Sequence, residues 1–339
     1  MSEMVILGFS GGVDSACAAA LLLREGYDVR GVYLENGSGE ADSARRCAEA
    51  MGLPLKVIDA RAELEEYVCR PFAEAYRRGE TPSPCVLCNP AVKLRMLCER
   101  ADALGAKYIA TGHYARAEGG ALYMGRPEND QSYMLCRILP EQLRRLVLPL
   151  GGMIKAETRA LAEKWGLPAA KKPDSMELCF VPDGDYAAWL ERRGDAPGPG
   201  ELIFEGRAVA RHGGIHRYTL GQRRGLGYAA GRRVYVSEIR PETGEVVLAE
   251  GAGLFVSEFT AGDMRWLVPA PEEPFDCAVR IRHSRALAPA RALPLPGGRL
   301  RFTAAAPLRA PTPGQAAAVY VGSQVLGGGF LLHDTKDTN

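Results

Sequence analysis

Hydrophobic positions along the chain fall into two textures. In the first half, short apolar runs alternate with segments of helical period. Val5–Phe9, Val29–Leu34, Leu55–Asp59 and Tyr108–Thr111 read as strands, and Ser15–Arg24, Ala41–Met51, Leu64–Arg77 and Ala91–Leu104 as helices. Gly26 and Gly52 follow two of these helices where C-terminal caps belong. Such alternation predicts an α/β fold, a doubly wound parallel sheet with helices on both faces. Near Ala196 a Pro-Gly-Pro-Gly run breaks the helical pattern. Beyond it, short alternating runs such as Arg233–Ile239 and Glu245–Ala249 read as all-β. After a second break at Gly251–Gly253, Cys277–Arg282, Leu300–Thr303 and Ala317–Val321 predict a small β-barrel. The expected domains are therefore 1–196, 197–252 and 253–339.

Composition adds little to this until it is read by region. At 339 residues, with 47% apolar and 24% charged residues, the chain is an ordinary globular protein of two or three domains. The uncharged run Ala310–His333 holds two prolines and five glycines, so it reads as strands and turns rather than a membrane span. The apolar opening Met4–Phe9 has no basic lead, and the expectation is a cytoplasmic protein with no membrane partner. Nine dispersed cysteines argue for reduced thiols rather than a disulfide framework. The net charge of +1 hides two arginine blocks. Between Gly206 and Ser237 there are seven arginines and no acid, and from Cys277 to His333 seven more, again without an acid. Either block alone is commonly a solvated face; two of them in β domains point to RNA.

Ser10-Gly11-Gly12-Val13-Asp14-Ser15 lies between the first strand and the first helix. Glycines there let the backbone turn its N–H groups toward a phosphate, and the helix N-terminus adds positive potential. Ser10 and Ser15 add hydroxyl donors, and Asp14 is a candidate magnesium ligand. No lysine follows the glycines, so this is not a Walker loop, and the dinucleotide spacing is absent. The bland alternative is a tight turn with an N-cap serine. The motif resembles the PP-loop of the N-type ATP pyrophosphatases. That resemblance implies ATP contacts from Gly8, Phe9, Ser10, Gly11, Gly12, Val13, Asp14 and Ser15, with Leu34 over the adenine.

Thr81-Pro82-Ser83-Pro84-Cys85-Val86-Leu87-Cys88-Asn89 puts two thiols on a proline-stiffened loop before a helix. A thiol near a helix N-terminus has a lowered pKa, which makes Cys88 a candidate nucleophile. Cys-x-x-Cys is shared by redox pairs and zinc half-sites, and no second such pair exists here. Taken alone, Cys179 reads as a buried apolar cysteine and His113 as a structural histidine.

The ordered set is more specific than any member. Ser10–Ser15, Thr81–Asn89 with Lys93, Ala110–Ala115, Asp130–Tyr133, Asp174-Ser175 before Cys179-Phe180, Thr219–Gly227 and Thr312–Gln315 occur in the order seen in the tRNA-specific 2-thiouridylases. The resemblance spans nearly the whole chain. It implies that Cys179 carries a persulfide and that Cys88 is its nucleophilic partner. It also implies that Gly112 helps bind ATP, and that His113, Asn129, Asp130, Gln131, Arg282, His283 and Gln315 contact tRNA. Arg223 and Arg224, in the first arginine block, join that set. Many relatives carry Asp where this chain has Cys85, so that aspartate's role does not transfer. The stretch Glu35–Asp42 is also shorter than in many relatives.

The implied reaction is ATP-dependent 2-thiolation of a wobble uridine. The 2-oxygen attacks the α-phosphate of ATP, pyrophosphate leaves, and sulfur then displaces AMP. The sulfur comes from a cysteine desulfurase, a relay protein or free sulfide; the residues do not select among these. Three cysteines, Cys85, Cys88 and Cys179, also form a candidate ligand set for a [4Fe–4S] cluster with one open iron. Two rival readings are a PP-loop ligase that adds nitrogen to a metabolite, and a non-catalytic RNA-binding protein.

Overall fold

The computed structural model describes residues 2–173, 178–281 and 286–333. The first domain contains β1 (Met4–Gly8), β2 (Asp28–Glu35), β3 (Leu55–Asp59), β4 (Tyr108–Ala110), the hairpin β5 (Ala115–Glu118) and β6 (Ala121–Met124), and β7 (Leu146–Val147). Five of these form a parallel sheet in the order β3-β2-β1-β4-β7. Val5, Ile6 and Leu7 of the central strand are wholly buried, as a strand covered on both faces requires. On one face the helix Val13–Arg24 presents Ala16, Cys17, Ala18, Ala19 and Leu22, mostly small side chains that let it lie close to the sheet. On the other, Leu94 and Leu97 of the helix Leu94–Leu104 pack beside Ile6 and Ile109. The strand order reverses between β1 and β4, and a crevice at the carboxyl ends of these strands is where open α/β sheets place their ligands.

Two helical stretches depart from the expected regular helices. Arg61–Leu64 passes through a π-turn at Glu65–Cys69 into Arg70–Arg77, and Pro84–Cys88 passes through a π-turn at Asn89–Lys93 into Leu94–Leu104. Pro71 and Pro90 lack the N–H that a regular helix would use, and the wider turn absorbs the missing bond. Cys69 and Cys88 sit at these two irregularities.

The central domain is a four-stranded sheet of β8 (Gly200–Phe204), β9 (Arg207–His212), β10 (Val234–Arg240) and β11 (Glu245–Glu250), in the order β10-β11-β8-β9. Its core is built around Leu202, Ile215, Val236, Val246 and Leu248. The last domain contains β12 (Phe255–Trp266), β13 (Phe275–Arg280), β14 (Ala288–Leu295), β15 (Arg299–Arg309), β16 (Ala316–Val321) and β17 (Gln324–Leu331). These run β12-β15-β14-β13-β16-β17, and pairing of β12 with β17 closes the barrel. The chain is thus a doubly wound α/β domain, a small central β domain and a C-terminal β-barrel, as its patterning predicts.

The hairpin β5–β6 is the element that patterning does not show. It belongs to the first domain in sequence, yet β6 pairs antiparallel with β17, Tyr123 opposite Gln324 and Leu122 opposite Val325. One core accordingly runs through both domains, joining Ile6, Leu97 and Leu122 to Ala318, Tyr320 and Val325. At this junction Arg280 and Asp130 form an ion pair of 2.6 Å, with side chains only 2% and 1% exposed. Asp130 also accepts from the N–H groups of Gly125 (2.8 Å) and Ser132 (3.2 Å) and from Ser132 Oγ (2.9 Å).

Removing one member of a buried ion pair leaves the other charged and desolvated. Asp130→Ala is therefore expected to cost about 3–5 kcal/mol of stability, read by denaturant unfolding. A loss below about 1 kcal/mol would mean that Arg280 finds water or another acceptor.

Candidate active site and tRNA-facing surfaces

The loop after β1 is shaped by contacts that only glycine allows. Gly11 has φ +71°, and a Cβ there would lie 2.8 Å from Ala44 Cα. Gly112, after β4, lies so close to the loop that a Cβ would sit 3.1 Å from the Asp14 carbonyl carbon. Ser10 Oγ is 3.2 Å from Ser15 Oγ and accepts from the Gly12 N–H at 3.4 Å, while Ser15 Oγ donates to the Gly12 carbonyl at 3.1 Å. Gly12 is the N-cap of the helix Val13–Arg24, with no side chain capping it, so the donors of its first turn are available to an anion. Gly8, Phe9 and Val13 form the supporting wall, Phe9 and Val13 being buried. Leu34 is half-buried near the end of β2, packed on the cluster around Val68, Val92 and Met96.

Asp14, the candidate magnesium ligand, is already paired within the protein. Both of its carboxylate oxygens accept from Lys155 Nζ, at 2.8 and 2.7 Å, and Tyr114 donates its hydroxyl to Oδ1 at 2.7 Å. A resident ammonium already neutralises the carboxylate, so metal on Asp14 would have to displace Lys155. Lys155 lies 141 positions away in sequence, and nothing in the spacing points to it.

The candidate sulfur residues gather on the same side of the sheet. Asn36, just beyond β2, donates from Nδ2 to the Cys179 carbonyl at 3.0 Å. Phe180 anchors that segment between Phe72 and Trp189, each with a ring centroid 5.3 Å away. Cys85, Cys88 and Cys179 are free thiols, with Cys88 partly covered and the other two exposed as residues. Burial pushes the Cys88 thiol up to about 11; Lys93 pulls it down, and Cys179 and Cys85 push it up again. Cys85 is also raised, by crowding around its sulfur, despite the exposure of the residue as a whole. These shifts correct the expected lowered pKa of Cys88. Cys88 lies about one turn inside the helical stretch that begins at Pro84 and continues through the π-turn, and burial outweighs what the helix start and Lys93 offer the anion.

Among the described residues, no group of three or more His, Cys, Asp or Glu side chains is arranged to hold a metal ion. Cys88 feels both Cys85 and Cys179 electrostatically, so the three thiols share one neighbourhood; a four-iron cluster spans more than a single ion does, and that ligand set stands as a proposal.

The residues expected to face tRNA divide into three groups. Arg223 and Arg224 are exposed and have no acidic partner among the described residues. Arg223 lines a groove of about 440 Å³ with Tyr228, Arg232 and Arg233. Gln315 is half-buried, in a loop whose neighbour Pro313 accepts the Thr81 N–H at 2.8 Å. In a second group Asp130 and His113 are buried, while Asn129 and Gln131 are half-buried and each commits its side-chain oxygen to a backbone N–H. Asp130 is held by Arg280 and has no free face for direct tRNA contact. Asn129 Oδ1 accepts the Lys155 N–H at 2.9 Å, and Gln131 Oε1 accepts the Tyr114 N–H at 3.1 Å. His113 is buried, with Nδ1 2.7 Å from Thr111 Oγ1, and burial together with Lys93 holds it well below its usual pKa, hence neutral. Arg282 and His283 lie outside the described residues.

Because the Cys88 thiol is raised to about 11, its alkylation by iodoacetamide should climb about tenfold per pH unit from pH 7 to 10. Peptide mass spectrometry reads this directly, and a plateau near pH 8.5 would contradict the raised value.

Three family models match consecutive parts of the chain: a tRNA methyl transferase HUP domain over residues 3–183, a tRNA methyl transferase PRC-barrel domain over 190–250, and an aminomethyltransferase beta-barrel domain over 256–331. Full-length relatives carry a different description. A tRNA-specific 2-thiouridylase MnmA of Carboxydothermus hydrogenoformans is 40% identical over 97% of this chain and 97% of its own length. Proteins of the same name are 42% identical in Chloroflexus aurantiacus, over 96% of this chain and 98% of that one, and 43% identical in Sorangium cellulosum, over 96% and 91%. With similarity of this extent laid over a glycine loop at the sheet's switch point and thiols gathered beside it, the chain belongs to the tRNA-specific 2-thiouridylases, sulfurtransferases that thiolate a uridine of tRNA.

Proposed function

We propose that the protein thiolates C2 of a wobble uridine in the tRNA anticodon through adenylation by ATP and sulfur transfer from Cys179. The observation that carries this reading is the bond from Asn36 to the Cys179 carbonyl. It ties the candidate sulfur carrier to the end of β2, two residues beyond the expected adenine contact Leu34. Phosphates of ATP would sit on Ser10–Ser15 and the first turn of the following helix, with magnesium arriving on the nucleotide. The target base must leave the anticodon stack to reach this crevice, which loop nucleotides do readily.

The uridine 2-oxygen attacks the α-phosphorus, pyrophosphate leaves, and C2 now carries AMP as a good leaving group. The terminal sulfur of a Cys179 persulfide attacks C2 and displaces AMP. Cys88, as thiolate, attacks Cys179 Sγ; the S–S bond breaks, 2-thiouridine departs, and a Cys88–Cys179 disulfide remains. A dithiol reductant resets the pair, and a persulfide-bearing cysteine desulfurase or relay protein transfers its outer sulfur to the Cys179 thiol. Free sulfide instead attacks Cys179 Sγ of the disulfide in place of the reductant, leaving a Cys179 persulfide and a Cys88 thiol. The raised Cys88 thiol suits this order, since even with Lys93 beside it the sulfur stays protonated until the substrate complex favours the thiolate. The same proposal divides the chain at 1–196, 197–252 and 253–339, with the two β domains holding tRNA through Arg223, Arg224, Arg282, His283 and Gln315.

Incubation with ATP, tRNA and a persulfide donor should give AMP, pyrophosphate and 2-thiouridine in equal amounts, read by nucleoside mass spectrometry. ADP as product, or equal AMP release without tRNA, would sink the adenylation step. Cys85→Ala should keep most sulfur transfer, whereas Cys88→Ala and Cys179→Ala should each lose at least about 100-fold. Brown, iron-containing protein whose activity vanishes with Cys85→Ala would instead favour the cluster.

Arg223 and Arg224 should contribute to tRNA affinity through phosphates. Replacing both with Ala is expected to flatten the slope of log affinity against log salt by up to roughly two ions. An unchanged slope and affinity would leave these arginines as a solvated turn.

A further inference from the structure

A carboxylate beside a phosphate-binding loop poses an electrostatic problem. Asp14 is the second residue of the helix whose N-terminus the phosphates would meet, so its charge opposes theirs at short range. The structure answers with a grip built from a distant part of the chain. Lys155 Nζ contacts both Asp14 oxygens, and the pair is only partly exposed, at 21% and 31% of the side-chain surface. The Tyr114 hydroxyl lies between Asp14 Oδ1 at 2.7 Å and Thr158 Oγ1 at 3.0 Å. Burial, and then the hydrogen bond to Asp14, push the Tyr114 phenol upward, so it remains a donor over any working pH.

The backbones of both gripping residues are held in turn. Lys155 opens the helix Lys155–Lys164, and its N–H donates to Asn129 Oδ1 at 2.9 Å. Tyr114 and Gln131 bond reciprocally: the Gln131 N–H donates to the Tyr114 carbonyl at 2.8 Å and the Tyr114 N–H to Gln131 Oε1 at 3.1 Å. Between them, Asp130 is fixed by Arg280 of the barrel. A chain of direct bonds therefore runs from the barrel through 129–131 to Lys155 and Tyr114, and ends on Asp14.

We infer that Lys155 and Tyr114 are positioning residues for the phosphate loop, acting through Asp14, and that Asn129 and Gln131 hold them in place. Lys155 cancels the carboxylate's repulsion toward an incoming polyphosphate, and Tyr114 fixes which way the carboxylate faces. The inference rests on the reading that the loop receives the phosphates of ATP. It assigns Asn129 and Gln131 to support of the nucleotide site instead of contact with tRNA.

Two readouts test it on the full-length protein: the KM for ATP in AMP formation with saturating tRNA, and the Kd for pyrophosphate alone by calorimetry. Lys155→Met should raise both by about tenfold, with kcat changed less, because a bare carboxylate then faces the phosphates. Lys155→Arg should recover most of the loss, since it restores the charge. Tyr114→Phe and Asn129→Ala should each raise both constants by about threefold. A purely structural role would lower the melting temperature without moving these constants, and arginine would rescue no binding. Folded Lys155→Met with unchanged KM and Kd overturns the inference; if that variant fails to fold, unchanged constants in Tyr114→Phe do so. Wild-type protein that binds pyrophosphate but forms no AMP would strike the adenylation reading alone, and the variants' pyrophosphate affinities would still decide this one.

Discussion

The rest of the structure depends on the junction between the first domain and the barrel. Strand β6 donates one edge of its hairpin to β17, and the Asp130–Arg280 pair is buried beside it. Backbone pairing fixes register to the residue, and a desolvated ion pair tolerates little displacement, because either charge alone is expensive to bury. Both constraints act on the short segment between β6 and the turn at Ser132–Leu135. That segment places Asn129 and Gln131, and through them Lys155, Tyr114 and the face of Asp14. The barrel is thus part of the frame of the α/β crevice.

The same logic holds for the loop that carries the paired thiols. Thr81 donates its N–H to the Pro313 carbonyl, Ser83 Oγ accepts from the Ala316 N–H at 3.0 Å, and Thr81 Oγ1 lies 3.3 Å from Thr219 Oγ1. Gly79 packs against Ile239 so closely that a Cβ would fall 2.9 Å from its methyl. Three domains therefore meet on the loop preceding Cys85 and Cys88.

Charge at the thiols is set by two opposed influences. Desolvation favours the neutral sulfur, and Lys93 favours the anion. At rest desolvation wins for Cys88. A resting thiol is protected from adventitious oxidation, and exposure of Cys179 leaves the expected sulfur carrier open to a donor.

Patterning and motif order carried the architecture, because parallel strands buried on both faces and alternating β runs leave local signatures. They also carried the glycine loop, since Gly11 is required by its own backbone angle and a near neighbour. What the sequence could not carry was pairing at long separation. The first arginine block is free of acids in sequence, yet Arg217 finds Glu191 and Arg232 finds Glu250 once the chain folds. Asp130, grouped with exposed contacts by its motif, is among the most buried charges because Arg280 arrives from 150 positions away. Cys88, expected to be activated by a helix start, is raised by burial. Residue types and their local spacing determine which elements form and which chemistry is present. Only the tertiary structure decides which charges meet and which groups lose water, because both depend on distances that no local pattern encodes.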